Sequence, residues 1–410
     1  MSLAPDTRIG VLIVDDSPFM RLTIQKILSQ DPDIKVLDTA RDGREGIAKL
    51  QALKPQVVTM DVEMPVINGL QALDEIMRWQ PTPVIVLSSL TTQGAEATLR
   101  ALDLGAFDAV AKPSGRPGAD LQALTQELID KIKAAAGVNL ARLRPRASAS
   151  GGSRTTGAAA AGITAAPEGS ALRPLGSTAG TASGASAIKR TSAPGAMAAV
   201  TGMGQTIHLS ERTLWPKHAP EIVAIGTSTG GPSALQAVLP QLPANFPVPV
   251  IVAQHMPPGF TAPLAERLNS LCALEVKEGI TGEALKAGKV YIAPAGRQMQ
   301  VQRRGDQLFL HITDEAPITT LYRPSVDVMF LSLAKEVGKG TLGVVMTGMG
   351  NDGLRGMREI KALEGFAIAE AEETCVVYGM PRALVEAKLA DRIVPLGEIG
   401  KTITDCVLRR

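Results

Sequence analysis

Short aliphatic and β-branched runs recur along this 410-residue chain, each followed by a stretch long enough for a helix, and this alternation limits the fold more than any other feature. Before residue 140 the runs are Gly10–Val14, Lys35–Thr39, Val57–Met60, Val84–Leu87 and Phe107–Ala111. Parallel strands joined through helices need right-handed crossovers, which cover both faces of the sheet with helices. Ligands of such sheets gather at the carboxyl ends of the strands. After residue 220 the alternation returns with Glu221–Ile225, Val248–Ala253, Thr341–Met346, Phe366–Ala369 and Arg392–Pro395. A different block interrupts it. Lys289–Ala293, Met299–Gln302 and Gln307–Ile312, with turns at Gly296 and Gly305, read as antiparallel hairpins inserted into the parallel sheet. The expected class is α/β, with two doubly wound, mainly parallel sheet domains.

Between the two halves lies Ala147–Thr206, in which 17 Ala, 11 Gly and 16 Ser or Thr fall among 60 residues with no aromatic side chain. Such a composition cannot bury enough apolar surface to fold, so a disordered tether is expected, spanning roughly 40–45 Å as a random coil. The domains are therefore set at 1–136 and 216–410, with a linker over 137–215. The balance of 42 basic against 40 acidic residues supplies no field to gather polyanions, which excludes nucleic acid as the natural partner. Cys272, Cys375 and Cys406 are far apart and form no C-x-x-C pair, as expected in a reducing cytoplasm. No run approaches the ~18 apolar residues of a spanning helix, so no membrane insertion is expected.

In the first domain Asp15 and Asp16 follow the first strand, Asp61 the third, Ser88 and Ser89 end the fourth, and Lys112 ends the fifth. All converge on one edge. Three carboxylates in a small cleft repel unless a cation neutralises them, and hard oxygen ligands of this kind select Mg²⁺. One carboxylate can then attack a phosphoryl group, and the acyl phosphate formed wants a hydroxyl donor and an ammonium, which Ser88 and Lys112 supply.

In the second domain Gly226-Thr-Ser-Thr-Gly-Gly231 ends a strand just before a helix opening at Pro232. The glycines let Ser228 sit on a tight turn satisfying G-x-S-x-G, with helix N-terminal amides at hand for an oxyanion. A turn of this kind can instead hold a nucleotide phosphate. Serine needs a base. Of His208, His218, His255 and His311, only His255 follows a strand to the same sheet edge. Asp352, in Met346-Thr-Gly-Met-Gly-Asn-Asp-Gly353, is the carboxylate expected to orient the imidazole. Asp314 and Asp327 are its rivals, and capping the helix from Gly353 is its bland alternative. The order Ser, His, Asp differs from the Ser, Asp, His order of α/β-hydrolases with the same pentapeptide.

VDDSPFMR, TMDVEMPVINGL, VLSSLT and AKP resemble the receiver domain of bacterial response regulators over residues 8–136, which implies a flavodoxin-like fold. By that resemblance Asp61 is the phosphoacceptor, Asp15 and Asp16 hold Mg²⁺ with it, Ser88 and Lys112 bind the phosphoryl group, and Lys112–Pro113 is a cis peptide. AIGTSTGGPSAL, VIVAQHMPPGFT, ITDEAPITTLYRPSVDVMF, VVMTGMGNDG and CVVYGMPRAL look like chemotaxis protein-glutamate methylesterase over 220–396, implying a Rossmann-like hydrolase with inserted β-hairpins. The resemblance implies Ser228 as nucleophile, His255 as base and acid, Asp352 as orienting carboxylate, and Met349 with Thr229 in the oxyanion region. It implies methyl-ester hydrolysis and glutamine deamidation on chemoreceptors for adaptation, no cofactor for that chemistry, and phosphorylation by a chemotaxis histidine kinase. A nucleotide-binding or silent output domain is the alternative.

Overall fold

The structure, a computed structural model, describes residues 7–112, 119–140 and 214–409. The N-terminal lobe alternates throughout: β1 (Ile9–Val14), α1 (Pro18–Leu28), β2 (Ile34–Ala40), α2 (Gly43–Leu53), β3 (Val57–Asp61), α3 (Gly69–Trp79), β4 (Val84–Ser88), α4 (Thr92–Asp103), β5 (Asp108–Ala111) and α5 (Ala119–Ala136). Its strands form a parallel sheet in the order β2-β1-β3-β4-β5. The central runs are buried on both faces, as helices packed on both sides require. Local chemistry starts the helices: Ser17 caps α1 ahead of Pro18, Asp42 caps α2, Asn68 and Gln71 form a capping box on α3, and Thr91 caps α4.

The C-terminal lobe comprises β6 (Ile222–Thr227), α6 (Gly231–Val238), β7 (Val250–Gln254), α7 (Thr261–Leu271), β8 (Glu275–Glu278), β9 (Lys289–Ile292), β10 (Gln298–Arg304), β11 (Gln307–Thr313), α8 (Val326–Glu336), β12 (Thr341–Val345), α9 (Leu354–Ala362), β13 (Phe366–Glu370), α10 (Met380–Glu386), β14 (Arg392–Val394) and α11 (Leu396–Leu408). Seven of these strands make one parallel sheet, β14-β13-β12-β6-β7-β9-β8. The topology differs from the expected one in two places. β9 belongs to this sheet, pairing in parallel with β7 and β8, and is not part of a hairpin. The hairpin is the single pair β10–β11, which turns at Gly305 and forms its own two-stranded sheet packed on α8.

The two lobes belong to one compact unit. Their contact brings α4 against α6 and α7, where Asp103 pairs with Arg267 and accepts from Gln236 Nε2 at 3.0 Å. At the ends of the expected linker, Val138, Leu140 and Trp215 pack against the apolar core, and Trp215 lies under the guanidinium groups of Arg392 and Arg409. Residues 141–213, and with them most of that linker and His208, lie outside the described residues; so does the Lys112–Pro113 bond, because Pro113 is not described. Among the described residues, no helix is long and apolar enough to cross a membrane.

Candidate active site

Parallel pairing decides what meets at the sheet's carboxyl edge. Thr227 pairs with Gln254 across β6 and β7, so the next residues, Ser228 and His255, leave neighbouring strands side by side, about 4.8 Å apart in the pairing direction. The His255 amide donates to Thr227 O at 3.1 Å, and the Ser228 amide donates to Thr347 O at 3.0 Å. Gln254, fully buried, ties both loops with one side chain: Nε2 donates to Ser228 O at 3.0 Å and to His255 O at 2.9 Å, while Oε1 accepts from Thr227 Oγ1. Gly231 has to be glycine here, since a Cβ would overlap Gln254 Oε1.

His255 Nε2 lies 2.8 Å from Asp352 Oδ2. Asp352 is 4 % exposed and takes three further donors: Ser325 Oγ at 2.9 Å, Val326 N at 2.6 Å and Asp327 N at 3.0 Å. Burial alone would raise its carboxyl, but the His255 hydrogen bond and charge, with the Asp327 and Val326 amides, hold it below the ordinary value. Asp352 does not cap the helix that follows it. It caps α8 instead, while Asp327, in the first turn of α8, accepts from Gly356 N of α9 at 2.7 Å. The two carboxylates thus cap each other's helices. Asp327 sits differently from Asp352: burial first, and Asp352's charge in addition, push it up to about 6. Asp314 is exposed and paired with Arg297, away from this cluster.

With Nε2 committed to Asp352, Nδ1 is the imidazole nitrogen left over; it is buried and without a hydrogen-bond partner among the described residues. The Ser228 hydroxyl, half-buried on its turn, likewise makes no hydrogen bond among the described residues. The amides of Met349 and Thr229 have no acceptor among the described residues either, so both remain available to an oxyanion. Thr347 organises this region. Its amide donates to buried Glu370 at 2.8 Å, its hydroxyl donates to Thr229 O at 2.9 Å, and that hydroxyl accepts from Val377 N at 3.0 Å. Beside Met349 a cavity of about 790 Å³ opens between α9 and α10, flanked by Arg358 and Arg382. His311 lies in β11 and His218 beside Glu364, so neither reaches the serine turn.

In the other lobe, Asp15, Asp16 and Asp61 each offer a carboxylate oxygen within 4.8 Å of the others. Lys112 Nζ lies 2.6 Å from Asp61 and 2.9 Å from Asp15. Burial raises the Asp61 carboxyl, with Lys112 opposing and Asp15 adding to the rise; one ammonium does not compensate the carboxylates, and the oxygen set fits a hard divalent cation. Burial works against the Lys112 charge, yet its bonds to Asp61 and Asp15 leave it raised. Ser88 Oγ donates to Gly94 O at 2.9 Å. Asp108, at the start of β5, meets the serine turn directly: its Oδ2 accepts from Thr229 Oγ1 at 2.6 Å and lies 3.3 Å from Lys131.

Residues 11–124 match the response regulator receiver domain family, and residues 223–403 match the CheB methylesterase family. A protein-glutamate methylesterase/protein-glutamine glutaminase of Desulfitobacterium hafniense is 68 % identical over 99 % of both chains. The chain belongs to that family. A member from Moorella thermoacetica is 46 % identical over 97 % of this chain and 98 % of its own. The CheB methylesterase catalytic domain of Thermotoga maritima is 41 % identical, covering 46 % of this chain and 99 % of that one, with a TM-score of 0.44. Membership in the methylesterase/glutaminase family disfavours the nucleotide-binding and silent-domain alternatives. It also fits the parallel α/β architecture of both lobes. Sequence reasoning missed Gln254, Thr347, Ser325 and Asp108 as parts of the site; the one available signal was that Gln254 and Thr347 are polar residues where an all-apolar strand ends.

Proposed function

We propose that the chain hydrolyses γ-glutamyl methyl esters of chemoreceptors at Ser228, releasing methanol, and deamidates receptor glutamines at the same site. The observation that carries this reading is the 2.8 Å bond between His255 Nε2 and Asp352, formed where β6 and β7 end side by side. Ser228 Oγ attacks the ester carbonyl while His255 Nδ1 takes its proton, and Asp352 stabilises the imidazolium through Nε2. The Met349 and Thr229 amides face the developing oxyanion. Collapse of the tetrahedral intermediate breaks the bond to methoxide, which leaves as methanol with the proton from His255. Water, deprotonated by the same imidazole, then releases the glutamate carboxylate and restores Ser228. A glutamine side chain follows the same course and leaves ammonia.

Asp61 is the phosphoacceptor in this reading, with a histidine kinase as donor. A Mg²⁺ ion held by Asp15, Asp16 and Asp61 would neutralise phosphoryl charge there, and Lys112 pairs with the phosphorylated side chain. Asp108 on Thr229 places the receiver lobe over the hydrolase turn, so release of that contact accounts for activation. The test is methanol release from methylated receptor membranes: Ser228→Ala and His255→Ala abolish it while melting like wild type, and undiminished turnover in either refutes the assignment.

A further inference from the structure

We infer that Tyr322 is a positioning residue for the base, its ring fixing the plane of the His255 imidazole and so the aim of Nδ1; this rests on the reading of His255 as the base. A single hydrogen bond to Asp352 leaves the imidazole free to turn about the Nε2···O axis, and Nδ1 has no polar partner to stop it. The Tyr322 ring stops it. It stacks on the imidazole with centroids 4.1 Å apart and planes 6° from parallel. Rotation of either ring would break the face contact, and the π face also favours the imidazolium formed on proton transfer.

Tyr322 can do this because its own backbone is pinned. Gln298, fully buried in β10, donates from Nε2 to Tyr322 O at 2.8 Å and accepts from Ser325 N at 2.8 Å. The Tyr322 amide donates to Thr320 Oγ1 at 3.1 Å. Ser325 in turn donates to Asp352. One short segment therefore holds the imidazole by its face and the carboxylate by a hydrogen bond, and both are referred to the same amide of the hairpin. The inserted hairpin thereby gains a purpose in the chemistry through Gln298.

The test uses the full chain and compares Tyr322→Leu with Tyr322→Phe, reading kcat and KM for methanol release and the rate at which a fluorophosphonate probe labels Ser228. The Leu variant loses roughly 10- to 100-fold in kcat and a similar factor in labelling, as misaimed reacting groups do, with KM within about threefold. The Phe variant keeps the ring face and recovers kcat to within about threefold of wild type. If the Leu variant melts below the assay temperature, Tyr322→Met, which fills the space without a planar face, replaces it. Wild-type kcat in the aliphatic variant, or a Phe variant as slow as it, overturns the inference. His255→Ala is run alongside: activity in it sinks the base assignment, whereas an inactive His255→Ala beside an unaffected Leu variant sinks only the role of Tyr322.

Discussion

Replacing Asp108 with Ala tests the contact between the lobes without touching a hydrolase residue. The carboxylate accepts from Thr229 Oγ1 at 2.6 Å, its side chain is 17 % exposed, and Thr229 is 2 % exposed. A hydrogen bond to a charged acceptor contributes about 1.5–3 kcal/mol. Lys131, 3.3 Å away, already satisfies part of that charge, and the Asp103 contacts to Arg267 and Gln236 persist in the variant, so the low end of the range applies. At about 1.4 kcal/mol per tenfold, the balance between covered and uncovered sites moves by roughly one order of magnitude. The assay is the initial rate of methanol release from methylated receptor membranes, with and without acetyl phosphate and Mg²⁺. Asp108→Ala raises the rate without phosphodonor by about five- to tenfold and shrinks the stimulation correspondingly, since the activated ceiling is unchanged. Combined with Asp61→Asn, it stays raised, because it acts after the phosphoacceptor. A variant with wild-type basal rate and full stimulation would show that the contact restrains nothing.

Asp352→Asn keeps only one of the two oxygens that accept the α8 amides and cannot hold the tautomer or the imidazolium, so kcat falls by on the order of 10³–10⁴; a loss under about tenfold contradicts the triad. Asp327 gives a pH signature. Its folded value, about 6, lies above its unfolded one, so between roughly pH 4 and pH 6 the folded chain keeps a proton the unfolded chain has lost, and stability falls as pH rises through that window. Asp327→Asn removes this dependence: the melting temperature of the variant relative to wild type climbs from about pH 4 to about pH 6.5, and a flat difference refutes the cause. Gly231→Ala drives a methyl into the Gln254 amide; it costs about 1–3 kcal/mol and slows probe labelling of Ser228, and wild-type stability in that variant would show the clamp is slack.

Strands were legible wherever both faces are buried, because a continuous aliphatic run has few other uses: β1, β3, β4, β6, β7, β12 and β13 fall within a residue or two of the expected spans. β8 was not. Glu275–Glu278 is a polar edge strand with only Val276 buried, so it lacks the continuous aliphatic run, and its pairing with β9 covers one side only. β9 was placed in a hairpin because Gly296 follows it closely, whereas its partner β7 lies some 40 residues back, a contact no local pattern reports. The same limit separates the two kinds of site residue. Ser228, His255 and Asp352 stand at strand ends, where periodicity points. Gln254, Thr347 and Tyr322 act through bonds to backbone or through a ring face, and their partners exist only after the sheet is assembled.

One short strand, β5, carries residues of both sites at its two ends. Lys112 directly follows β5 and holds Asp61 and Asp15; Asp108 opens β5 and holds Thr229. Four strand residues, all paired in register with β4, separate these ends by about 13 Å. Lys131 grips the strand at Ala109 O and Asp108, tying it to α5. A phosphoryl group on Asp61 offers Lys112 new oxygens beyond the carboxylate, which draws the lysine and the strand behind it, and a displacement near 1 Å takes a 2.6 Å hydrogen bond beyond bonding range. Lys112→Met therefore separates modification from response: acetyl phosphate still loads Asp61, read by intact mass, but does not raise methanol release. Adding Asp108→Ala restores the elevated rate without phosphodonor. Full stimulation in Lys112→Met would route the signal through some element other than β5.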